Sequence, residues 1–249
     1  MLQNYSKSQR LVRLLILPIW VYVGFVIADT LATGVVWLLV AVHVPITSYN
    51  QAVVNAVYAA IIYVITIAIV IGAPWWLRKI KTSREEVGLT RLPSWTDILL
   101  APAGLIIYFI LSAIFILLAQ HTLPGFDINQ TQNVGFSHLT QRYEYILAFL
   151  TLVVVAPIAE ETLFRGYLYG KLKNYVPIWV AMLVTSALFG FIHGAWNLAI
   201  DVFALSIILC VLREMTGNIW ASILVHMMKN GIAFYILFIN PTLLSILVK

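Results

Sequence analysis

Ala148-Phe149-Leu150-Thr151-Leu152-Val153-Val154-Val155-Ala156-Pro157-Ile158-Ala159-Glu160-Glu161-Thr162-Leu163-Phe164-Arg165 sets two adjacent carboxylates and a guanidinium against a long apolar run. The run suits the middle of a bilayer. An ionisable side chain there costs about +2.5 to +3.5 kcal/mol on insertion scales, so such groups face a protein interior or a wet cavity and mark function. On a helix, Glu161 and Arg165 are i,i+4 neighbours in the favourable acid-first order. Glu160 is rotated about 100° away and is left for another partner. A structural ion pair at a helix end is the competing explanation, and the residues downstream weigh against it.

The rest of the chain agrees with a membrane setting. Of 249 residues, 62% are hydrophobic and only 10% charged, where a soluble protein of this size carries about 25% charged residues. Mean hydropathy is +0.95. The composition excludes a soluble domain and indicates a multi-span helical protein. The net charge of +5 reads as loop Lys and Arg that fix topology, and with no basic-aromatic cluster present it does not read as a nucleic-acid surface. The single cysteine, Cys210, excludes an intrachain disulfide and a cysteine-based zinc cage, and is expected to be buried and inert.

Outward from the acidic pair, the apolar periodicity predicts seven spans. The first covers residues 14–42 after Lys7, Arg10 and Arg13. Its start resembles a signal peptide but is too long and lacks a clear cleavage site. Asp29 within it is expected to be a polar interior or interface residue. Span two covers 53–73, and the linker 75–97 is basic and hence expected on the cytoplasmic side. Its charges read as solvated topology charges, and Trp75, Trp76 and Trp95 as interfacial anchors. Span three covers 98–119. The polar loop 121–142 fits the outside, with His121 and His138 as ordinary loop residues. Span four starts near 143 and runs past the acidic pair, with Pro157 permitting a kink and Gly166 and Gly170 close packing. Spans five to seven cover 177–193, 196–212 and 219–239. The fold class is therefore an all-α integral membrane protein, a polytopic bundle of about seven (seven to eight) helices, with the active site expected between the last four. Residues 1–142 form an N-terminal part and 143–240 a catalytic part. The N-terminus is expected in the cytoplasm, which puts the tail outside; an eighth embedded piece would reverse that parity.

Three polar clusters fall at one depth. Counted from the cytoplasmic helix ends at about 1.5 Å per residue, Glu160 lies roughly 20 Å in, His193 roughly 24 Å, and His226 and Asn230 roughly 14 and 20 Å. His226 and Asn230 share a helix face. A glutamate in a partly apolar cavity can take a proton from water, and a nearby histidine can orient that water. A second histidine with an asparagine can donate hydrogen bonds to an oxyanion on a scissile carbonyl. That is amide hydrolysis without a Ser or Cys nucleophile. Glu160, His193 and His226 would also serve as three zinc ligands with an open position, but no His-Glu-x-x-His motif occurs. The metal-free version is preferred and no cofactor is favoured, with zinc as the alternative.

At these residues the chain resembles the CAAX-protease and bacteriocin-processing (CPBP, or Abi) intramembrane endopeptidases, relatives of the eukaryotic CAAX-processing endopeptidase. The motifs stand as Glu160-Glu161-x-x-x-Arg165, Phe189-x-x-x-His193 and His226-x-x-x-Asn230, and the resemblance covers roughly 143–239. It implies that Glu160 is the water-activating base assisted by His193, that His226 and Asn230 form the oxyanion side, and that Glu161 and Arg165 support the site. The family has been described both as metallopeptidases and as glutamate peptidases, so the likeness leaves the metal open. Its substrates range from prenylated CAAX tails to leader and signalling peptides, and some members are linked to bacteriocin immunity.

The expected partners are the lipid bilayer and a peptide or protein substrate, with no nucleic acid; the sequence does not fix an oligomeric state. Two rivals to a peptidase stay open: a non-catalytic scaffold or self-immunity protein of the same fold, and a transporter with a Glu160–His193 proton relay. Residues outside the motifs carry weaker expectations. Lys229 should snorkel or pair with a polar neighbour, Asp201 could line the cavity, and Trp196 and Asn197 could shape its outer rim.

Overall fold

A computed structural model describes residues 5–130, 134–136 and 139–243; His138, Gln132 and Asn133 of the expected outer loop lie outside the described residues. The described chain is helical with no strand. The helices are α1 (Lys7–Ala41), α2 (Gln51–Arg78), the short α3 (Arg84–Val87), α4 (Trp95–Thr122), α5 (Arg142–Leu172), α6 (Ile178–Phe191), α7 (Trp196–Thr216) and α8 (Trp220–Ile239). Each of the seven expected spans corresponds to one of the longer helices. Five of them, α1, α2, α4, α5 and α8, are long and apolar enough to cross a membrane. Of the other two, α6 has only 14 residues, and α7 carries Asp201, Arg213 and Glu214.

Local chemistry explains where the helices start. Ser6 and Gln9 form a reciprocal capping box at α1, each side chain accepting from the other's backbone N–H. Gln141 and Glu144 open α5 in the same way, and Asn50 at the head of α2 donates to the Glu144 carboxylate at 2.5 Å, which ties the two helix starts together. The bundle then packs α7 against α4, α6 and α8, while α5 touches α1, α2, α6 and α8. Phe164, Leu168, Leu172 and Phe189 are fully buried at the α5–α6 contact, and Leu205, Leu209 and Val225 at the α7–α8 contact.

Two helices are interrupted where a proline removes a backbone donor. In α5, residues Leu150–Val155 wind as a π-helix, with the Ala156 N–H on the Thr151 carbonyl. In that register the next amide, at Pro157, would meet the Leu152 carbonyl but has no N–H. Asn230 of α8 supplies the missing donor, its Nδ2 lying 2.9 Å from the Leu152 oxygen. In α2 the π-turn Ala68–Gly72 precedes Pro74, and Trp20 of α1 donates its indole N–H to the Val70 carbonyl at 3.0 Å. Side chains from neighbouring helices thus satisfy carbonyls beside both prolines, as an apolar surrounding requires.

The linker meets the expectation of solvated charges in part: Arg78, Lys79, Lys81, Arg84, Glu85 and Arg91 are exposed, whereas Glu86 and Asp97 take partners. Its segment α3 docks on the end of α5: Glu86 pairs with Lys171 at 3.3 Å, and Arg213 of α7, only 3% exposed, donates to the Glu85 and Glu86 carbonyls. Gly88, with φ +75°, turns the chain beside that guanidinium, where a side chain would collide with it. Arg91 and the buried Asp97 pair at the head of α4. Trp75, Trp76 and Trp95 remain largely exposed, as interfacial anchors should be. A Cβ on Gly170 would drive into the Glu86 carbonyl oxygen. Gly170→Ala is therefore expected to lower the thermal midpoint of the detergent-solubilised protein, since overpacking of this kind costs about 1–3 kcal/mol; an unchanged midpoint would show that the α3–α5 contact is loose.

Candidate active site

The π-wound stretch Leu150–Val155 of α5, followed by Pro157, leads into the turn that carries both acids, and helical rotation sends them apart. Glu161 is fully buried. Its Oε1 accepts from Arg165 at 2.8 Å and from His226 Nδ1 at 2.9 Å. Arg165 is fully buried as well, with its guanidinium carbon 4.4 Å from the Phe189 ring centre. Glu160 points the other way. Its Oε1 accepts from the Tyr63 hydroxyl at 2.5 Å, its Oε2 lies 3.7 Å from His226 Nε2, and it lines a cavity of about 780 Å³.

His193 stands just past the end of α6 and lines the same cavity. Its Nδ1 is 2.6 Å from the Phe189 carbonyl oxygen. A carbonyl only accepts, so Nδ1 carries the proton, and in the neutral ring Nε2 presents a lone pair. Phe189 stands between the two imidazoles, with ring centres 4.9 Å from His193 and 5.9 Å from His226. Thus Glu160 with His226, and Glu160 with His193 on one cavity, are brought together. Asn230 sits one turn beyond His226 and has one of its two N–H donors engaged by Leu152.

The cavity corrects one expectation and extends another. Its walls come from α1 and α2 as much as from the last four helices: Tyr22, Phe25 and Asp29 of α1 and Tyr58, Ile62 and Tyr63 of α2 line it. Trp196 does belong to its rim, whereas Asn197 instead donates to the Ile128 and Gln130 carbonyls and anchors the loop. Asp201 does not line the cavity. It accepts from Tyr108 at 2.7 Å and Ser112 at 2.6 Å and pairs with Lys229 at 3.4 Å, a polar knot joining α4, α7 and α8. Cys210 is buried, as expected. Sequence reasoning missed Tyr63, because a tyrosine in an apolar helix 97 residues from its partner carries no local signal.

Among the described residues, no three His, Cys, Asp or Glu side chains stand in an arrangement that could hold a metal ion. The donor chemistry of the zinc alternative of Glu160, His193 and His226 is intact all the same: Glu161 holds His226 Nδ1 and leaves its Nε2 free, and the 3.7 Å from that Nε2 to Glu160 is a spacing that two ligands of one ion can take.

Fold and site together define a polytopic helical membrane protein with ionisable side chains gathered around an open cavity between helices. Residues 142–232 match the family model Rce1-like, type II CAAX prenyl endopeptidase Rce1-like, so the resemblance carried by the three motifs holds over that stretch. The membrane-embedded CAAX protease MroQ of Staphylococcus aureus is 26% identical over 98 residues, 37% of this chain and 40% of that protein. An uncharacterized 24.3 kDa protein of Escherichia coli is 32% identical over 89 residues, 34% of this chain and 41% of its own length. UPF0177 protein YxdF of Lactococcus lactis is 27% identical over 133 residues, 50% of this chain and 73% of its own. No solved structure matches the chain. The likeness is thus to membrane peptidases and is centred on α5 to α8; Asp29, Tyr58 and Tyr63 lie outside the residues matched to the family model.

The buried Glu161–Arg165 pair generates a stability prediction. Arg165→Met strands a carboxylate at a fully buried position, and breaking one side of such a pair costs about 3–5 kcal/mol. The double variant Glu161→Gln, Arg165→Met should recover much of the thermal midpoint in detergent. A double variant as unstable as the sum of the two single variants would contradict the pairing.

Proposed function

We propose that this chain is an intramembrane endopeptidase that hydrolyses a peptide bond of a membrane-delivered peptide or protein with a water activated by Glu160 and His193. The observation that supports the reading most strongly is the division of the acidic pair, with Glu161 sealed against Arg165 and His226 and Glu160 open to a large cavity shared with His193. In the reaction, the Glu160 carboxylate takes a proton from a water whose oxygen attacks the scissile carbonyl. The His193 Nε2 lone pair accepts that water's second hydrogen bond and orients it. Tyr63 donates to Glu160 Oε1, which steadies the carboxylate and leaves Oε2 as the base.

His226 donates to Glu161 through Nδ1, so it can donate to a developing oxyanion through Nε2 only as the imidazolium. In that form the two glutamates, Arg165 and His226 sum to zero charge. Asn230 has one N–H left for the same oxyanion. Collapse of the tetrahedral intermediate breaks the C–N bond, and the proton held by Glu160 passes to the leaving amine. No step needs a metal, and the metal-free route is our reading, with zinc as the rival.

By the same reading, residues 143–240 form the catalytic part and α1 and α2 complete the substrate chamber. The N-terminus, with Lys7, Arg10 and Arg13, and the basic linker face the cytoplasm across the cell membrane.

The test is comparative peptidomics of the native host carrying wild type or Glu160→Gln. Product peptides present with wild type should fall by about 10²–10⁴-fold in the variant. Identical peptidomes, with the cellular phenotype retained, would favour a scaffold or immunity role. In a purified assay on an identified product pair, Tyr63→Phe should slow cleavage by roughly tenfold, from the loss of one hydrogen bond to a charged group. Activity that survives exhaustive chelation supports the metal-free route, and activity lost on chelation and restored by zinc would replace it.

A further inference from the structure

The chamber holds a second carboxylate that the reaction does not use. Asp29 sits near the middle of α1, lines the same cavity as Glu160 and His193, and is exposed to it. An aspartate on an apolar spanning helix is retained only where water or a partner meets it. Among the described residues its one hydrogen-bond partner is the Tyr58 hydroxyl, which donates to Oδ1 at 2.8 Å. Tyr58 is in turn engaged by Thr33 at 2.9 Å. With the tyrosine proton spent on Asp29, the Thr33 hydroxyl is the donor in that contact, so a chain of two hydroxyls from α1 and α2 aims its polarity at the carboxylate. Among the described residues no lysine or arginine pairs with Asp29.

The surroundings describe what would satisfy it. Tyr22, Phe25, Ile62, Phe191 and Trp196 make the cavity walls predominantly apolar and aromatic. A volume of about 780 Å³ falls in the upper part of the range that holds a drug-sized ligand or a short peptide segment, roughly 300–1,000 Å³. Tyr58, which marks the Asp29 end, and Tyr63, which marks the Glu160 end, are five residues apart on α2, about 7.5 Å of helix rise. An extended peptide advances about 3.3 Å per residue. A side chain one to three residues from a bond held at Glu160 therefore reaches Asp29.

We propose that Asp29, held by Tyr58, is a specificity subsite that accepts the cationic side chain of a lysine or arginine within about three residues of the bond to be cleaved. This rests on the peptidase reading for its context, although binding can be measured without turnover. The subsite selects apolar peptides carrying one basic residue: aromatic walls take the apolar flanks and the stem of the long side chain, and the carboxylate takes its head.

The experiment uses full-length protein in detergent or nanodiscs, in a Glu160→Gln background that removes both cleavage and the other cavity carboxylate. The probes are two labelled apolar peptides that differ only in one lysine or one glutamine. The lysine peptide should bind roughly tenfold tighter, the low end of the scale for a hydrogen bond to a charged group, and Asp29→Asn should bring that ratio near one. Asp29→Asn preserves an acceptor for Tyr58, and Asp29→Glu should restore the preference, which separates charge recognition from a fold defect. A preference unchanged by Asp29→Asn, or no binding of either peptide, overturns the subsite. The two readings also fail separately. Wild-type cleavage without a basic preference sinks the subsite alone. An Asp29-dependent binding preference with no cleavage of any peptide by wild type sinks the peptidase reading alone.

Discussion

The structure depends on a single carboxylate oxygen. Glu161 Oε1 receives both Arg165 from its own helix and His226 from α8. It lies at a position closed to solvent, where an unpaired charge would not be tolerated. This interaction fixes the rotation of α5 about its axis. Once Glu161 is turned inward, its neighbour Glu160 is turned toward α2, Tyr63 and the cavity by the roughly 100° step of the helix. The same contact fixes the tautomer and plane of His226, much as a buried aspartate orients the histidine of a hydrolytic triad. Adjacent acids with opposite surroundings are thus the means by which one helix contributes both a rigid anchor and an accessible carboxylate.

The interruption of α5 belongs to the same design. Pro157 removes a donor one turn before the acids, the preceding turns relax into a π-helix, and Asn230 answers the Leu152 carbonyl. Since His226 and Asn230 lie on one face of α8, that face binds α5 at two points a turn apart, once through a charged group and once through a backbone carbonyl. The geometry at Glu160 therefore rests on α8 as well as on α5. At the other end of α5, α3 folds back over Gly166 and Gly170. The linker accordingly contributes to the rigidity of the helix that carries the acids.

How much of this could be read in the sequence follows from the range of each interaction. Glu161 and Arg165 announced their pairing because they are one helical turn apart, and the resulting orientation of Glu160 followed from the same periodicity. His193 and His226 were legible as polar residues in apolar runs. What stayed hidden came from long-range docking. Tyr22, Tyr58 and Tyr63 look like ordinary residues of apolar helices until α1 and α2 close over α5, so the site was placed among the last four helices when half of its chamber comes from the first two. Arg213, one residue past the expected end of span six at 212, carries no local signal of burial either. Only the return of α3 over the end of α7, with Gly88 adopting a left-handed turn beside the guanidinium, buries it.

The division between the two glutamates is most directly tested by carbodiimide labelling of the folded protein, followed by peptide mapping. A hydrophobic carbodiimide reaches carboxylates that open on an apolar cavity and misses those sealed in an ion pair. The account predicts a modified Glu160 beside an unmodified Glu161. A label on Glu161, or equal resistance of both residues in the folded protein, would contradict it.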